Sequence, residues 1–169
     1  MTAKRIAILG AGHIGKALVR GFLAAGKSDK EHLMATLPSQ DKANELGEEL
    51  GIPVITSNSD AAAQADVVIF SVKPQVLPRV LREVVPVMTP EKLAVSVTAG
   101  IHTEFIEEVL EGEVPVIRLM PNVAVVAQQG ATGMSSGRYA NEEDVSYVKD
   151  LFSSVGLVME VEEDLMDAV

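Results

Sequence analysis

A doubly wound α/β fold, with a mostly parallel sheet and helices on both faces, is what this sequence predicts, on three observations. Short, unbroken apolar runs recur along the chain, each the length of a strand buried on both sides. Stretches with apolar residues three and four apart separate them, and glycines fall at the junctions. Alternation of this kind builds a parallel sheet through right-handed crossovers.

The first strand is Ile6 to Leu9, ending in Gly10. From Ile14 the spacing changes to Ile14, Leu18 and Phe22, a helix that Gly26 would close. Leu33 to Leu37 reads as the second strand, Asp41 to Leu50 as a helix ended by Gly51, and Pro53 to Ile55 as a short third strand. Val67 to Phe70 is the strongest strand signal, followed by a helix through Val76, Val80 and Val84. Leu93 to Val97 and Val114 to Leu119 are strands flanking a helix with Thr103 as its N-cap and Phe105, Ile106, Val109 and Leu110 on its apolar face. Ala131 to Ser135 reads as another strand. Asn141 and Asp144 then form a capping pair for a helix carrying Val145, Val148, Leu151 and Phe152, and Leu157 to Val161 is a final strand after Gly156.

Composition narrows the classes. With 169 residues and 47% hydrophobic content, the chain can bury one sizeable core. Its net charge of −10 argues against a nucleic-acid partner, because phosphate backbones would be repelled. The absence of cysteine excludes disulfides and sulfur-ligated metals. His13, His32 and His102 are too scattered to form a ligand cluster, so no metal is expected. The apolar run after Lys4 and Arg5 is too short for a signal peptide or membrane span, and the expectation is a cytoplasmic protein with no membrane partner.

Gly10-Ala11-Gly12-His13-Ile14-Gly15 is a G-x-G-x-x-G placed between a strand and a helix, the context that the dinucleotide fingerprint of Rossmann-type folds requires. Gly10 permits the turn, Gly12 lets a pyrophosphate approach the backbone, and Gly15 lets the helix pack on the sheet. The first-turn N–H groups then bind the anion. The competing reading is a plain tight connection. NAD-preferring sites carry an acid at the end of the second strand. Here that region reads Ala35-Thr36-Leu37-Pro38-Ser39-Gln40, which favours NADP over NAD. Thr36, Ser39 and Gln40 are candidates to hydrogen-bond a 2′-phosphate, with Lys42 offsetting its charge; no arginine is in place to fork onto it.

Three later loops follow strands on the edge where open α/β sheets bind ligands: Ser71-Val72-Lys73-Pro74-Gln75, Thr98-Ala99-Gly100-Ile101 and Met120-Pro121-Asn122. Together with the glycine turn, Arg118-Leu119, Gly130-Ala131-Thr132 and the terminal Glu160 to Val169, they resemble the pyrroline-5-carboxylate reductase family along essentially the whole chain. The resemblance implies hydride transfer from NADPH, or less often NADH, to the ring C=N of 1-pyrroline-5-carboxylate, giving L-proline. By motif it implies that Gly10, Ala11, Gly12, His13, Ile14 and Gly15 hold pyrophosphate. Thr36, Ser39 and Asn58 border the adenosine ribose, and Val72, Lys73 and Pro74 flank the nicotinamide half. Ala99, Gly100 and Asn122 line the reacting end.

No catalytic residue is assigned. Lys73 reads as a ribose neighbour rather than a proton donor, and His13 equally well as a plain first-turn residue. Ser71, Ser96 and Thr98 lack a positioned base. The acids at Glu142 to Asp144 and Glu162 to Asp164 read as helix starts or solvated charge. In the family resembled, the terminal segment leads into a helical second domain that makes the dimer. The expectation is therefore a dinucleotide-binding domain over residues 1–161, with 162–169 beginning a helix toward an absent domain, and with Leu165, Met166 and Val169 exposed. The full-length protein would be a homo-oligomer through that domain. Two alternatives stand beside this reading: a non-catalytic NADP-binding regulatory module, and a dehydrogenase of β-hydroxyacid or 6-phosphogluconate type.

Overall fold

A computed structural model describes residues 3–121 and 130–166. Eight strands form one sheet in the order β3-β2-β1-β4-β5-β6-β7-β8. The first six are β1 (Ile6–Leu9), β2 (Leu33–Thr36), β3 (Val54–Ile55), β4 (Val67–Phe70), β5 (Leu93–Ser96) and β6 (Val116–Pro121), and all run parallel. Then β7 (Gly130–Ser136) turns antiparallel to β6, and β8 (Gly156–Glu160) pairs parallel with β7. The doubly wound, mostly parallel sheet expected from the alternation is present, with two reversed strands at one edge.

Residues of β1 alternate between two cores. Ile6 and Ile8 face the side packed with α1 (His13–Ala24), α2 (Gln40–Leu50) and α6 (Glu142–Phe152). Ala7 and Leu9 face the side of α3 (Asn58–Ala63), α4 (Leu77–Val84) and α5 (Thr103–Leu110). Phe22 and Phe152 meet edge to face with ring centroids 5.5 Å apart, joining α1 to α6. A last short helix, α7 (Glu163–Met166), follows β8.

Most element bounds agree with the sequence reading to within one or two residues. Asn141 and Asp144 form the expected capping box of α6. Helix α3 is additional: Ser57 caps it through the Asp60 N–H, and its alanine run has no apolar periodicity to announce it. At α5 the N-cap is His102 rather than Thr103, which is the first helical residue.

The parallel ladder between β5 and β6 ends at Ser96 and Arg118, while β6 runs on to Pro121 against β7. That overhang of three residues, about 10 Å at the usual strand rise, makes a step beside the loop after β5. Among the described residues no helix is long and apolar enough to cross a membrane.

Candidate functional site

The glycine turn is held by β2. Gly10, with φ +86°, donates its N–H to Thr36 Oγ1 at 3.0 Å, and the Ala11 N–H donates to the Thr36 carbonyl at 2.9 Å. A Cβ on Gly10 would lie 2.4 Å from Val72 Cγ1 and 2.9 Å from the Ser71 carbonyl oxygen. A Cβ on Gly15 would come 3.2 Å from the Gly10 carbonyl oxygen and from Ile8 Cγ2, so α1 sits close on the strand.

Gly12 is different. It is the N-cap of α1 at φ −80°, a backbone any residue adopts, and among the described residues a Cβ there would meet nothing within 4 Å. Its lack of a side chain leaves space rather than relieving strain. Among the described residues no side chain caps α1, and its first turn carries no acid. The open N–H groups and positive end of the helix dipole therefore meet a clear approach suited to an anion. Ala11 is buried and Ile14 half-buried, while His13 is exposed.

Beside the turn, a cleft of about 220 Å³ lies between Gly10, the β2 end from Thr36 to Pro38, Asn58, and the α4 residues Arg79 and Glu83. A chain of hydrogen bonds crosses it. The Thr36 hydroxyl donates to Asn58 Oδ1 at 2.6 Å, and Asn58 Nδ2 donates to Glu83 Oε2 at 3.0 Å. Arg79 Nη1 reaches Glu83 Oε1 at 3.5 Å. Two expectations change here. Thr36 is 2% exposed and its hydroxyl already serves Gly10 and Asn58, so it shapes the cleft instead of offering a free donor to a phosphate. An arginine does reach the cleft, from α4 rather than from the β2 end. Ser39 caps α2 by accepting the Lys42 N–H at 3.4 Å.

Two of the other predicted loops meet on the same sheet edge. The Thr98 hydroxyl donates to the Val72 carbonyl at 2.9 Å, tying the loop after β4 to the loop after β5. Lys73 and Pro74 are exposed, and the Lys73 carbonyl accepts the N–H groups of Val76 and Leu77 as α4 starts. Ala99 and Gly100 are exposed, with Gly100 at φ +74°. Asn122 lies outside the described residues.

Glu163 was not legible as a partner. Its Oε1 accepts the Thr103 N–H at 2.6 Å and its Oε2 accepts the Thr103 hydroxyl at 2.7 Å, so a residue of α7 caps α5. Arg118 Nη1, fully buried on β6, donates to Oε1 at 3.4 Å. Glu163 is thus neither solvated nor merely a helix start. An arginine inside the apolar run Val116 to Met120 was the available signal, since a buried guanidinium needs a carboxylate. The α7 packing also corrects Met166, which is 1% exposed; Leu165 is 55% exposed, and Val169 lies outside the described residues.

A wider concavity of about 510 Å³ sits beside α5, lined by Glu104, Glu107, Glu108, Arg138 and Tyr139 among others. Its carboxylates disfavour a phosphate, and the glycine turn is not part of it. Among the described residues no group of three His, Cys, Asp or Glu could hold a metal ion.

Residues 5–100 match the family model described as NADP oxidoreductase, coenzyme F420-dependent. The chain belongs to that family. This NADP oxidoreductase family member is 39% identical over 167 residues to a pyrroline-5-carboxylate reductase of Corynebacterium melassecola, covering 97% of this chain and 62% of the relative. The crystal structure of Plasmodium falciparum pyrroline carboxylate reductase with NADP bound matches at TM-score 0.87 and 28% identity, over 99% of this chain and 61% of that one. A pyrroline-5-carboxylate reductase from Coxiella burnetii matches at TM-score 0.91 and 28% identity, over 98% and 62%. The resemblance read from the glycine turn and the later loops is borne out along nearly the whole chain. The chain spans about three-fifths of the length of these relatives.

Proposed function

We propose that this chain is the cofactor-binding part of an NAD(P)H-dependent reductase that converts 1-pyrroline-5-carboxylate to L-proline in the cytoplasm. The observation that carries the reading is that, among the described residues, the space over Gly12 is clear at a helix start with no side-chain cap, beside the cleft between the β2 end and α4. NADPH, when bound, would supply a hydride to the carbon of the protonated ring C=N, whose nitrogen keeps its proton as the amine N–H. The chain's own residues do the holding. The N–H groups of the turn from Gly10 to Gly15 bind the pyrophosphate, with Gly12 giving it access. Asn58, fixed by Thr36 and Glu83, borders the adenosine ribose, and Ser39 lies at the same end. Val72, Lys73 and Pro74 flank the nicotinamide half, and Ala99 and Gly100 line the reacting end. Asn122 belongs to that end by motif alone. The isolated chain binds cofactor without turnover.

Calorimetric titration of NADPH and NADH tests this, with Gly12→Val as the variant. A valine at this position lowers Tm by no more than a few degrees, the cost of a poorer N-cap, yet weakens nucleotide binding at least tenfold. Folded wild-type protein that binds neither nucleotide would overturn the reading.

A further inference from the structure

We propose that Arg79 is the residue that selects NADPH over NADH, by forking its guanidinium onto the adenosine 2′-phosphate; this rests on the nucleotide-binding reading above. The 2′ position of a dinucleotide lies at the carboxyl end of the second strand, where an acid selects NAD and a nearby arginine accommodates the phosphate. Residues Thr36 to Gln40 at that end carry no acid and no arginine. Lys42, exposed in the first turn of α2, does not line the cleft; the cation that does is Arg79, from α4.

Three features suit Arg79 to the task. Its side chain lines the same cleft as Thr36, Leu37 and Pro38 and is 62% exposed, so it can reorient without a cost in packing. Its contact with Glu83 is 3.5 Å, the outer limit of a hydrogen bond, and exposed pairs of this i,i+4 kind are weak. The chain carries net charge −10, so an incoming phosphate meets an unfavourable overall field and gains from a local cation.

Glu83 sets the strength of the preference. One of its oxygens holds Asn58 and the other faces Arg79. Its charge both competes for the guanidinium and repels a phosphate. Neutralising it while keeping an acceptor for Asn58 releases Arg79.

The test is calorimetric titration of the 169-residue chain with NADPH, NADH, and the fragment pair adenosine 2′,5′-bisphosphate and 5′-AMP. Arg79→Gln is expected to weaken NADPH and the bisphosphate about tenfold while leaving NADH and 5′-AMP within twofold. Glu83→Gln is expected to tighten NADPH several-fold. Equal losses for all four ligands in Arg79→Gln would place the guanidinium on the adenine ring and overturn the proposal. So would unchanged NADPH binding in that variant, or weaker NADPH binding in Glu83→Gln. Wild-type protein that binds none of the four would instead overturn the nucleotide reading itself. A thermal melt of each variant confirms that the fold is intact.

Discussion

Replacing Thr36 by valine removes one hydroxyl from the centre of the site and keeps the shape. That hydroxyl accepts the Gly10 N–H at 3.0 Å and donates to Asn58 Oδ1 at 2.6 Å, in a residue only 2% exposed. Asn58 and Gly10 are both half-buried, so water offsets part of the loss at each. Unsatisfied groups of this kind cost about 1–3 kcal/mol each, and the net expectation is about 2 kcal/mol. Urea denaturation reads this as a midpoint lowered by roughly 1 M at unchanged slope. Thr36→Ser is the companion variant: it keeps both hydrogen bonds, loses one buried methyl, and costs about 1 kcal/mol. NADPH binding weakens about fivefold in the valine variant and by less than twofold in the serine variant, because only the former releases the turn. Equal destabilisation by the two, or a valine variant within about 0.5 kcal/mol of wild type, would refute the claim that β2 holds the glycine turn through this hydroxyl.

Two further outcomes are open to simple measurement. Glu163→Ala removes the acceptor of two Thr103 hydrogen bonds and a carboxylate facing buried Arg118, for a loss of about 3 kcal/mol. By calorimetry Tm falls by about 6–12 °C, whereas Glu162→Ala, at an exposed site, moves it little; equal effects would show that Glu163 is not the anchor. Burial first, then the charges of Asp66 and Asp150, push the Tyr147 phenol up to about 12. Its folded value is above the ordinary 10, so its contribution to stability is complete below pH 10 and is lost as pH rises toward 12. Absorbance titration should resolve this late ionisation, which Tyr147→Phe abolishes; full phenol ionisation of the folded wild type by pH 11 would contradict it.

The centre of the sheet was legible because its strands are buried on both faces. Val67 to Phe70 and Leu93 to Ser96 have nowhere else to go, and the helices between them carry their apolar stripes plainly. Helix α3 was not legible, because Ala61, Ala62 and Ala63 fit any element; its start at Ser57 and Asp60 was the one local clue. The glycine turn could be placed because its chemistry is local. The cleft could not, since it is assembled from Thr36, Asn58 and Glu83, which lie 22 and 25 residues apart along the chain. Arg79 and Glu83 stand four apart on α4, a spacing that carries no sign of the β2 end, and it is the fold that brings both to the cleft beside Thr36. Thr103 was misread for the same reason: a threonine before an amphipathic run is an ordinary N-cap, and the carboxylate that takes over the task arrives from far away.

That carboxylate lies 60 residues downstream of the helix it completes. On a growing chain, α5 is made well before Glu163, with β6, β7, α6 and β8 between them. Contacts of such separation come late, after loop-closure entropy has been overcome for everything between. A contact missing from the transition state leaves the folding rate alone and acts on the reverse step. If Glu163 is such a clasp, Glu163→Ala raises the unfolding rate and leaves the folding rate nearly unchanged.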